Sequence, residues 1–141
     1  MIKDVLVSPL DVIDTPGGSV MHAIKKTSEG YKGFGEAYFS NIEYEAIKAW
    51  KRHRIMTLNL VVPYGEVQFV LFDNRNNTNG KIQKIKISQK NYCRLTVPPL
   101  IWMGFKGLDK SGSIVMNIGN IQHDPLEVDK LNLNEINYKW S

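Results

Sequence analysis

"IKAWKRHRIMTLNLVVPYGEV" (residues 47–67) runs from a basic cluster around a tryptophan into a continuous apolar strand that ends in a turn. Side chains two residues apart on a strand share a face, so Lys51 and His53 are expected to point the same way. Thr57 and Asn59 follow them onto that face if no bulge interrupts the strand. The stretch is either a solvated strand edge or one wall of a cavity that holds a ligand.

The rest of the chain is dominated by short alternating or β-branched runs, which are typical of β-strands. Turn sequences rich in Gly, Asn and Pro separate these runs. Short strands with hardly any helix between them favour a sandwich or barrel, and a jelly roll closes such strands around a hollow. The sequence therefore predicts one all-β domain over residues 1–141. The nine predicted strands lie in "KDVLVS", "SVMHAIKK", "GEAYFSNIEY", "EAIKAW", "MTLNLVVP", "EVQFVLFD", "KIQKIKIS", "YCRLTVP" and "SIVMNIGNI".

Helical signals are confined to the C-terminal end of the chain, in "DPLEVDKLNLNEINYKW". Asp124 is a suitable N-cap, Pro125 suits the first helical position and Glu127 falls in the first turn. One short C-terminal helix is therefore expected. Elsewhere, residues 74–79 have the composition of an exposed loop.

The composition is that of an ordinary globular protein with the length of one domain. Of its 141 residues, 43% are hydrophobic and 23% are charged, and the formal net charge is +4. The lysines and arginines are scattered, so a nucleic-acid partner is not expected. The N-terminus has no signal-peptide pattern, no stretch is long enough to span a membrane, and the single Cys93 suits a reducing compartment. We therefore expect a cytoplasmic protein without a membrane partner.

Metal and nucleophilic chemistries have little support in the sequence. β-Barrels of this type often bind a metal through His-x-His, a carboxylate and a later His. Here Lys51 stands two positions before His53, and an ammonium group repels a divalent cation. No Ser-His-Asp spacing, Gly-rich phosphate loop or Cys-x-x-Cys occurs. We expect neither a metal nor another cofactor.

Acid–base chemistry on a carbonyl compound is better supported. It needs a base that works near neutral pH and a group that stabilises an enolate oxygen. His53 provides an imidazole, and Lys51 has a lowered pKa if it is buried beside other cations. His123 in "NIQHDP" is a second histidine, which a loop at a barrel mouth can present. Trp102 in "VPPLIWMGF" either stacks on a base or sugar ring or closes the barrel end as core.

Five segments, taken in order and spacing, resemble the dTDP-4-dehydrorhamnose 3,5-epimerase (RmlC-like) cupin family. The similarity covers roughly residues 20–130, and its most specific part is the Gly-Glu-Val strand that leads to "FDNR" and then to the Pro-Pro segment. The resemblance implies a cupin jelly roll that forms a homodimer. It also implies a nucleotide-diphosphate sugar as ligand, with a 4-keto-deoxysugar used in surface-polysaccharide biosynthesis. The segments are "GFGEAYFSNI", "IKAWKRH", "PYGEVQFVLFDNRNNTNGK", "YCRLTVPPLIWMGF" and "NIQHDPLE".

The positions of the family's proton-transfer groups carry other residues in this chain. The resemblance places Lys51 where the epimerases have their catalytic histidine, and Leu58 or Asn59 where they have a lysine. Met103 stands in place of a further histidine, and Asn117 stands where the catalytic tyrosine is expected. The usual base and acid are therefore substituted.

Several functions stay open at this point. A related branch, the 3,4-ketoisomerases, has a His-x-His pair on the corresponding strand, and this chain keeps the second of the two. The protein is then an epimerase or isomerase with a reshuffled site, a nucleotide-sugar-binding cupin without catalysis, or an interaction module with a vestigial pocket. The expected catalytic residues are His53, Lys51 and His123, and the expected substrate-binding residues are Glu36, Tyr38, Thr57, Asn59, Arg75, Trp102 and Asn117.

Overall fold

The computed structural model describes residues 1–77 and 80–141, which consist mainly of strands and turns. Short 3-10 turns occupy Arg75–Asn77, Pro125–Glu127 and Leu133–Glu135. The strands, numbered in chain order, are β1 (Leu6–Pro9), β2 (Val12–Thr15), β3 (Gly18–Met21), β4 (Glu36–Ile42), β5 (Ile47–His53), β6 (Leu58–Tyr64), β7 (Val67–Asp73), β8 (Lys81–Ile87), β9 (Cys93–Val97), β10 (Trp102–Gly107), β11 (Ser113–Gly119) and β12 (Val128–Lys130).

Two five-stranded antiparallel sheets form the body of the protein. Sheet I has the order β1-β9-β6-β11-β4, sheet II has the order β12-β5-β10-β7-β8, and β2 and β3 form a separate hairpin. Inward-facing side chains of both sheets meet in one core cluster, which includes Leu60 and Leu95 of sheet I and Phe69 and Ile85 of sheet II. The all-β prediction is confirmed, and two facing sheets are consistent with a jelly roll.

A tight turn at Gly65 joins β6 of sheet I to β7 of sheet II. Gly65 has a φ of +85°, and a Cβ at this position would lie 2.2 Å from the Oγ of Ser113. Only glycine fits there without strain or a shift of its neighbour. On the two strands that leave this turn, alternate residues such as Leu60 and Phe69 are fully buried. The turn therefore places the two most apolar strands of the chain face to face.

A second apolar cluster lies on sheet II, where the C-terminal segment crosses it. Trp50, Trp102 and Ile136 are buried in this cluster. The rings of Trp50 and Trp140 lie 5.4 Å apart, and the indole N–H of Trp50 donates to the carbonyl of Leu133 at 3.2 Å. Because Trp50 alternates with its neighbours along β5, its burial on this side directs residues 51 and 53 towards the space between the sheets.

The strand that contains residues 47–53 does not continue into the next strand. β5 ends at His53, the chain bends, and β6 begins at Leu58. Leu58 then faces the core, whereas Asn59 accepts hydrogen bonds from Arg94 at 3.1 Å and from Thr96 at 2.6 Å on the other side of sheet I. The expectation of one shared face over residues 51–59 is therefore wrong, because the bend resets the alternation.

The expected C-terminal α-helix is not present. Asp124 does act as a cap, accepting a hydrogen bond from the amide of Leu126, but only for the 3-10 turn Pro125–Glu127. The next residues form β12, which pairs with β5 so that Val128 lies opposite His53. Pairing with an existing sheet edge satisfies the backbone groups that a helix would otherwise satisfy internally. The local capping signal was therefore correct and its extension into a helix was wrong.

All nine predicted strands are present in whole or in part, and β2, β10 and β12 are additional. β10 contains two glycines, which disfavour a strand prediction. At Gly104 a Cβ would lie 2.6 Å from the Cβ of Ala49, so glycine permits the close approach of β10 and β5. This approach brings the neighbouring strand of sheet II alongside the candidate site.

Candidate active site

A cavity of about 560 Å³ lies between the two sheets and opens at one end of the molecule. Its volume is in the range of small-molecule and cofactor sites. Sheet II supplies a mainly basic wall, sheet I supplies the facing wall, and the segment after β12 closes one side. We call it the central cavity; its lining includes Lys48, Lys51, His53, Met103, Phe105 and Lys130 from sheet II, Tyr38, Ser40, Leu58 and Asn117 from sheet I, and Leu131, Asn132 and Glu135 from the C-terminal segment.

His53 and Glu127 form a close pair at the base of this cavity. The Nδ1 of His53 lies 2.5 Å from the Oε1 of Glu127, whose side chain is only 2% exposed. The other carboxylate oxygen accepts hydrogen bonds from the amides of Ile55 and Met56, each at 3.1 Å. Glu127 therefore holds both the imidazole and the bend that follows β5.

The ionisation of Glu127 fixes the role of each nitrogen of His53. Burial disfavours the charged carboxyl, but the hydrogen bonds from His53, Met56 and Ile55 outweigh it and hold the pKa of Glu127 below its ordinary value. An ionised Glu127 accepts the proton of Nδ1, which leaves Nε2 as the basic nitrogen. His53 lines the central cavity, so this arrangement presents a base to a bound ligand.

Lys51 stands beside this pair on the same wall. Burial lowers the pKa of Lys51, the positive charges of Lys130 and Lys48 lower it further, and the charge of Glu127 opposes them. Lys48 is anchored at the rim, where its Nζ donates to the carbonyl of Asn41 at 2.8 Å. The wall therefore combines a neutral base with a group of ammonium charges, an arrangement that favours an anionic ligand or intermediate.

The facing wall carries Tyr38 and Asn117, which are paired across β4 and β11. Asn117 is 5% exposed, and its side-chain amide donates to the Oγ of Ser40 at 3.1 Å and to the carbonyl of Val115 at 3.2 Å. Tyr38 is 42% exposed. Burial and the charge of Glu36 raise the pKa of Tyr38. The structure thus brings Tyr38 and Asn117 together with Lys51 and His53 around one cavity.

Three of the predicted site residues lie away from the central cavity. Asn59 is buried on the far side of sheet I, where its amide donates to the carbonyl of Gly30 at 3.0 Å. The amide of Thr57 donates to the side chain of Asn120 at 2.8 Å, within the bend. Trp102 packs in the cluster with Trp50, beneath the guanidinium of Arg52 at 4.7 Å. The ring-stacking role of Trp102 and the inward orientation of Thr57 and Asn59 are corrected by these contacts.

Arg75 also lies elsewhere, at the start of the predicted exposed loop 74–79. Thr78 and Asn79 of that loop are outside the described residues. The guanidinium of Arg75 bonds to Asp73 at 3.0 Å and to the carbonyl of Lys3 at 2.8 Å. Arg75 therefore ties the N-terminal residues to the end of β7 instead of lining the cavity.

His123 and Glu36 meet in front of β4. The amide of His123 donates to the carboxylate of Glu36 at 2.6 Å, and the residue is exposed to solvent. The imidazole of His123 is not among the cavity-lining groups of the described residues. Glu36 reaches the site only through its charge on Tyr38. The structure therefore separates His123 from the other two residues with which it was grouped.

Glu127 is the principal site residue that sequence reasoning missed. In "HDPLE" it has the pattern of a helix first turn, and nothing local marks it as the partner of a histidine 74 positions earlier. The pairing becomes visible only when β12 is aligned on β5. Ser40, Lys48 and Lys130 were missed for the same reason, since each reaches the cavity through strand pairing.

Asp129 fixes β12, and hence Glu127, on β5. Its carboxylate accepts hydrogen bonds from Arg54 at 2.6 and 3.0 Å and from Arg52 at 2.7 and 3.0 Å. These two arginines hold the pKa of Asp129 at about 2, against an ordinary value of 3.8. The edge strand of sheet II is therefore fastened by charge-assisted hydrogen bonds.

We expect Asp129→Asn to lower the free energy of unfolding at neutral pH and to have little effect near pH 2. Because the folded-state pKa lies below the unfolded-state value, the stabilisation is complete above pH 3.8 and disappears as the pH falls through about 2. Urea unfolding of both proteins across this pH range measures the gap. Asp14→Asn, in the exposed β2–β3 hairpin, is the control. A gap that stayed constant with pH would contradict the assignment.

A sheet sandwich with a histidine–carboxylate pair in an open cavity is the arrangement of a cupin with acid–base chemistry. No protein-family model matches the chain. A dTDP sugar isomerase from Desulfovibrio desulfuricans G20 has a TM-score of 0.94 and 31% identity, with 99% of this chain and 92% of that chain covered. The chain belongs to the family of dTDP-sugar isomerases and dTDP-4-dehydrorhamnose 3,5-epimerases.

Two further relatives agree with this assignment. A dTDP-4-dehydrorhamnose 3,5-epimerase from Sulfolobus tokodaii has a TM-score of 0.84 at 17% identity, over 98% of this chain and 82% of that chain. A probable low-salt glycan biosynthesis epimerase of Haloferax volcanii is 24% identical over 133 residues, which are 92% of this chain and 85% of that protein. In the described residues, no helix is long and apolar enough to cross a membrane.

Proposed function

We propose that the protein is an epimerase or isomerase of a dTDP-linked 4-keto-deoxysugar in surface-polysaccharide biosynthesis. The observation that carries the proposal is the His53–Glu127 pair, which presents a base to the central cavity beside Lys51. Relatives described as a dTDP sugar isomerase and a glycan biosynthesis epimerase support the class of substrate. Protons on carbon next to a ketone are acidic enough for such a base when the enolate is stabilised.

The residues of the basic wall account for the first half of the reaction. Nε2 of His53 takes the proton from a carbon beside the keto group, and the C–H electron pair moves to the carbonyl oxygen as an enolate. Glu127 stabilises the imidazolium that forms. The ammonium group of Lys51 stabilises the enolate oxygen, and Lys48 and Lys130 at the rim favour the negative diphosphate.

This mechanism explains how the site works although the family's usual base position carries a lysine. Lys51 occupies that position, and His53 lies two residues later on the same strand and therefore on the same wall. The base has moved by one strand repeat, and the lysine that the epimerases carry on β6 has its counterpart in Lys51. A catalytic set of the same chemical types is thus assembled from different positions.

The experiment that tests this function follows the substrate dTDP-4-keto-6-deoxyglucose in deuterated water. NMR at C3 and C5 is expected to show deuterium replacing hydrogen at a carbon beside the keto group. Thermal melting in the presence of dTDP measures binding separately, since a ligand that binds the folded state raises the melting temperature. Binding without exchange at either carbon would overturn the catalytic proposal and favour a nucleotide-sugar-binding cupin.

Lys51→Arg is expected to move the alkaline limb of the exchange rate to higher pH. The lysine loses its charge at a lower pH than an ordinary lysine, because its pKa is lowered by burial and by Lys130 and Lys48. An arginine stays charged throughout, so the limb should shift by about one pH unit or more. The pH dependence of deuterium exchange measures the shift, with Lys90→Arg in an exposed turn as control. An unchanged limb would show that Lys51 does not contribute the titrating charge.

We extend the proposal to a cytoplasmic homodimer. The β2–β3 hairpin pairs only with itself among the described strands, and its Val12, Ile13 and Val20 are 46%, 47% and 49% exposed. A two-stranded hairpin is marginally stable alone, so a second copy that covers these side chains would stabilise it. Light scattering on the purified protein distinguishes the dimer from a monomer of the same fold.

A further inference from the structure

The geometry of the central cavity bears on where the proton returns, a question that rests on the proposed enolate chemistry. An enolate is planar, and His53 removes the proton from one of its faces. If the same base returns the proton, the configuration is kept or the keto group migrates to the neighbouring carbon. Inversion needs a second proton donor, and that donor has to face the opposite side of the enolate.

The wall of sheet I offers one such donor opposite His53. In the described part of the chain, this sheet contributes Tyr38, Ser40, Leu58 and Asn117 to the lining. Leucine has no transferable proton, and hydroxyl and amide groups of the Ser and Asn type do not ionise in the range where proteins work. The phenol of Tyr38 is therefore the acid of this wall.

The surroundings of Tyr38 leave its hydroxyl available. Asn117, its partner across the strands, is engaged with Ser40 and with the carbonyl of Val115. Burial and the charge of Glu36 raise the pKa of Tyr38, so the phenol keeps its proton at neutral pH until the enolate forms. A side chain that is 42% exposed at an open cavity can also exchange its proton with solvent after each turnover.

We propose that Tyr38 protonates the enolate on the face opposite His53, so that the enzyme inverts a carbon beside the keto group. The C–H bond to His53 breaks, and its electron pair resides on the enolate oxygen. A new C–H bond then forms with the proton of Tyr38 while the carbonyl is restored. The products are the epimer, an imidazolium and a phenolate. Solvent in the open cavity takes the proton from the imidazolium and supplies one to the phenolate, so no proton is consumed.

This assignment places the acid on β4, beside the β11 position that Asn117 occupies. Residues directly paired across two antiparallel strands have Cβ atoms about 4.5–5.5 Å apart, so neighbouring strands can present a side chain to nearly the same point. Tyr38 and Asn117 are such a pair. It also separates the two reactions that the sequence left open, because migration of the keto group has no need for a donor on sheet I.

The test is Tyr38→Phe, with dTDP-4-keto-6-deoxyglucose in deuterated water. Formation of the inverted product should fall by about a hundredfold or more. Deuterium exchange without inversion should continue within about threefold of the wild-type rate, because His53 still removes and returns the proton. Circular dichroism verifies the fold, and Tyr64→Phe, an exposed tyrosine outside the central cavity, should leave both rates unchanged.

The outcomes separate this inference from the function on which it rests. Absence of exchange in the wild-type protein overturns the proposed function and the role of Tyr38 with it. Wild-type exchange together with full inversion by Tyr38→Phe overturns the role of Tyr38 alone. Wild-type exchange that yields a migrated keto group and no epimer also overturns the inference, while leaving His53 as the base.

Discussion

Replacing His53 by asparagine removes deuterium exchange at the carbons beside the keto group, with an expected loss on the order of 10²–10⁴ in rate. The asparagine amide can still donate to Glu127, so the carboxylate keeps a partner and the bend after β5 is preserved. What is lost is Nε2, the basic nitrogen that faces the cavity. Binding of dTDP, measured by the rise in melting temperature, should change little because the basic wall is intact.

His123→Asn is the matched control for this prediction. His123 is exposed and contacts Glu36 through its backbone amide, which the substitution retains. The exchange rate of this variant should equal that of the wild type. If His123→Asn and not His53→Asn removed exchange, the base would lie at the mouth of the cavity and the pair with Glu127 would be structural.

The alternation of side chains along a strand was sufficient to predict the basic wall. Lys51 and His53 both line the central cavity because β5 is regular up to its last residue. The same rule failed six residues further on, at Asn59. The bend that resets the alternation is held by Glu127, which bonds to the amides of residues 55 and 56 from a strand more than 70 positions away. No pattern within residues 47–67 contains that contact.

Strand pairing explains most of what the sequence left out. Tyr38 and Asn117 were predicted as ligand-binding residues, but their direct pairing across β4 and β11 depends on sheet register. Trp102 has the composition of a stacking platform, and its burial in the cluster with Trp50 follows from the path of the C-terminal segment. The resemblance to a family supplied the fold, while the position of each proton-transfer group required the sheets themselves.

Glu127→Gln is expected to reduce the exchange rate by on the order of 10²–10⁴ while leaving dTDP binding nearly unchanged. If the new amide oxygen continues to accept from Ile55 and Met56, the amide nitrogen faces Nδ1 of His53. Nδ1 then has to accept a hydrogen bond, and the ring proton moves to Nε2. The nitrogen that faces the substrate would be protonated and no longer able to act as a base.

Two measurements distinguish this tautomer effect from a general loosening of β12. Nitrogen NMR of His53 should show the proton on Nδ1 in the wild type and on Nε2 in Glu127→Gln. Asp129→Asn loosens the same strand without touching the imidazole, so it should lower stability while retaining most of the exchange rate. Comparable losses of exchange in both variants would mean that strand position matters and tautomer does not. Since Glu127 is buried and accepts two backbone amides, Glu127→Gln should also cost about 1–3 kcal/mol in unfolding free energy, which is too little to account for the expected loss of rate.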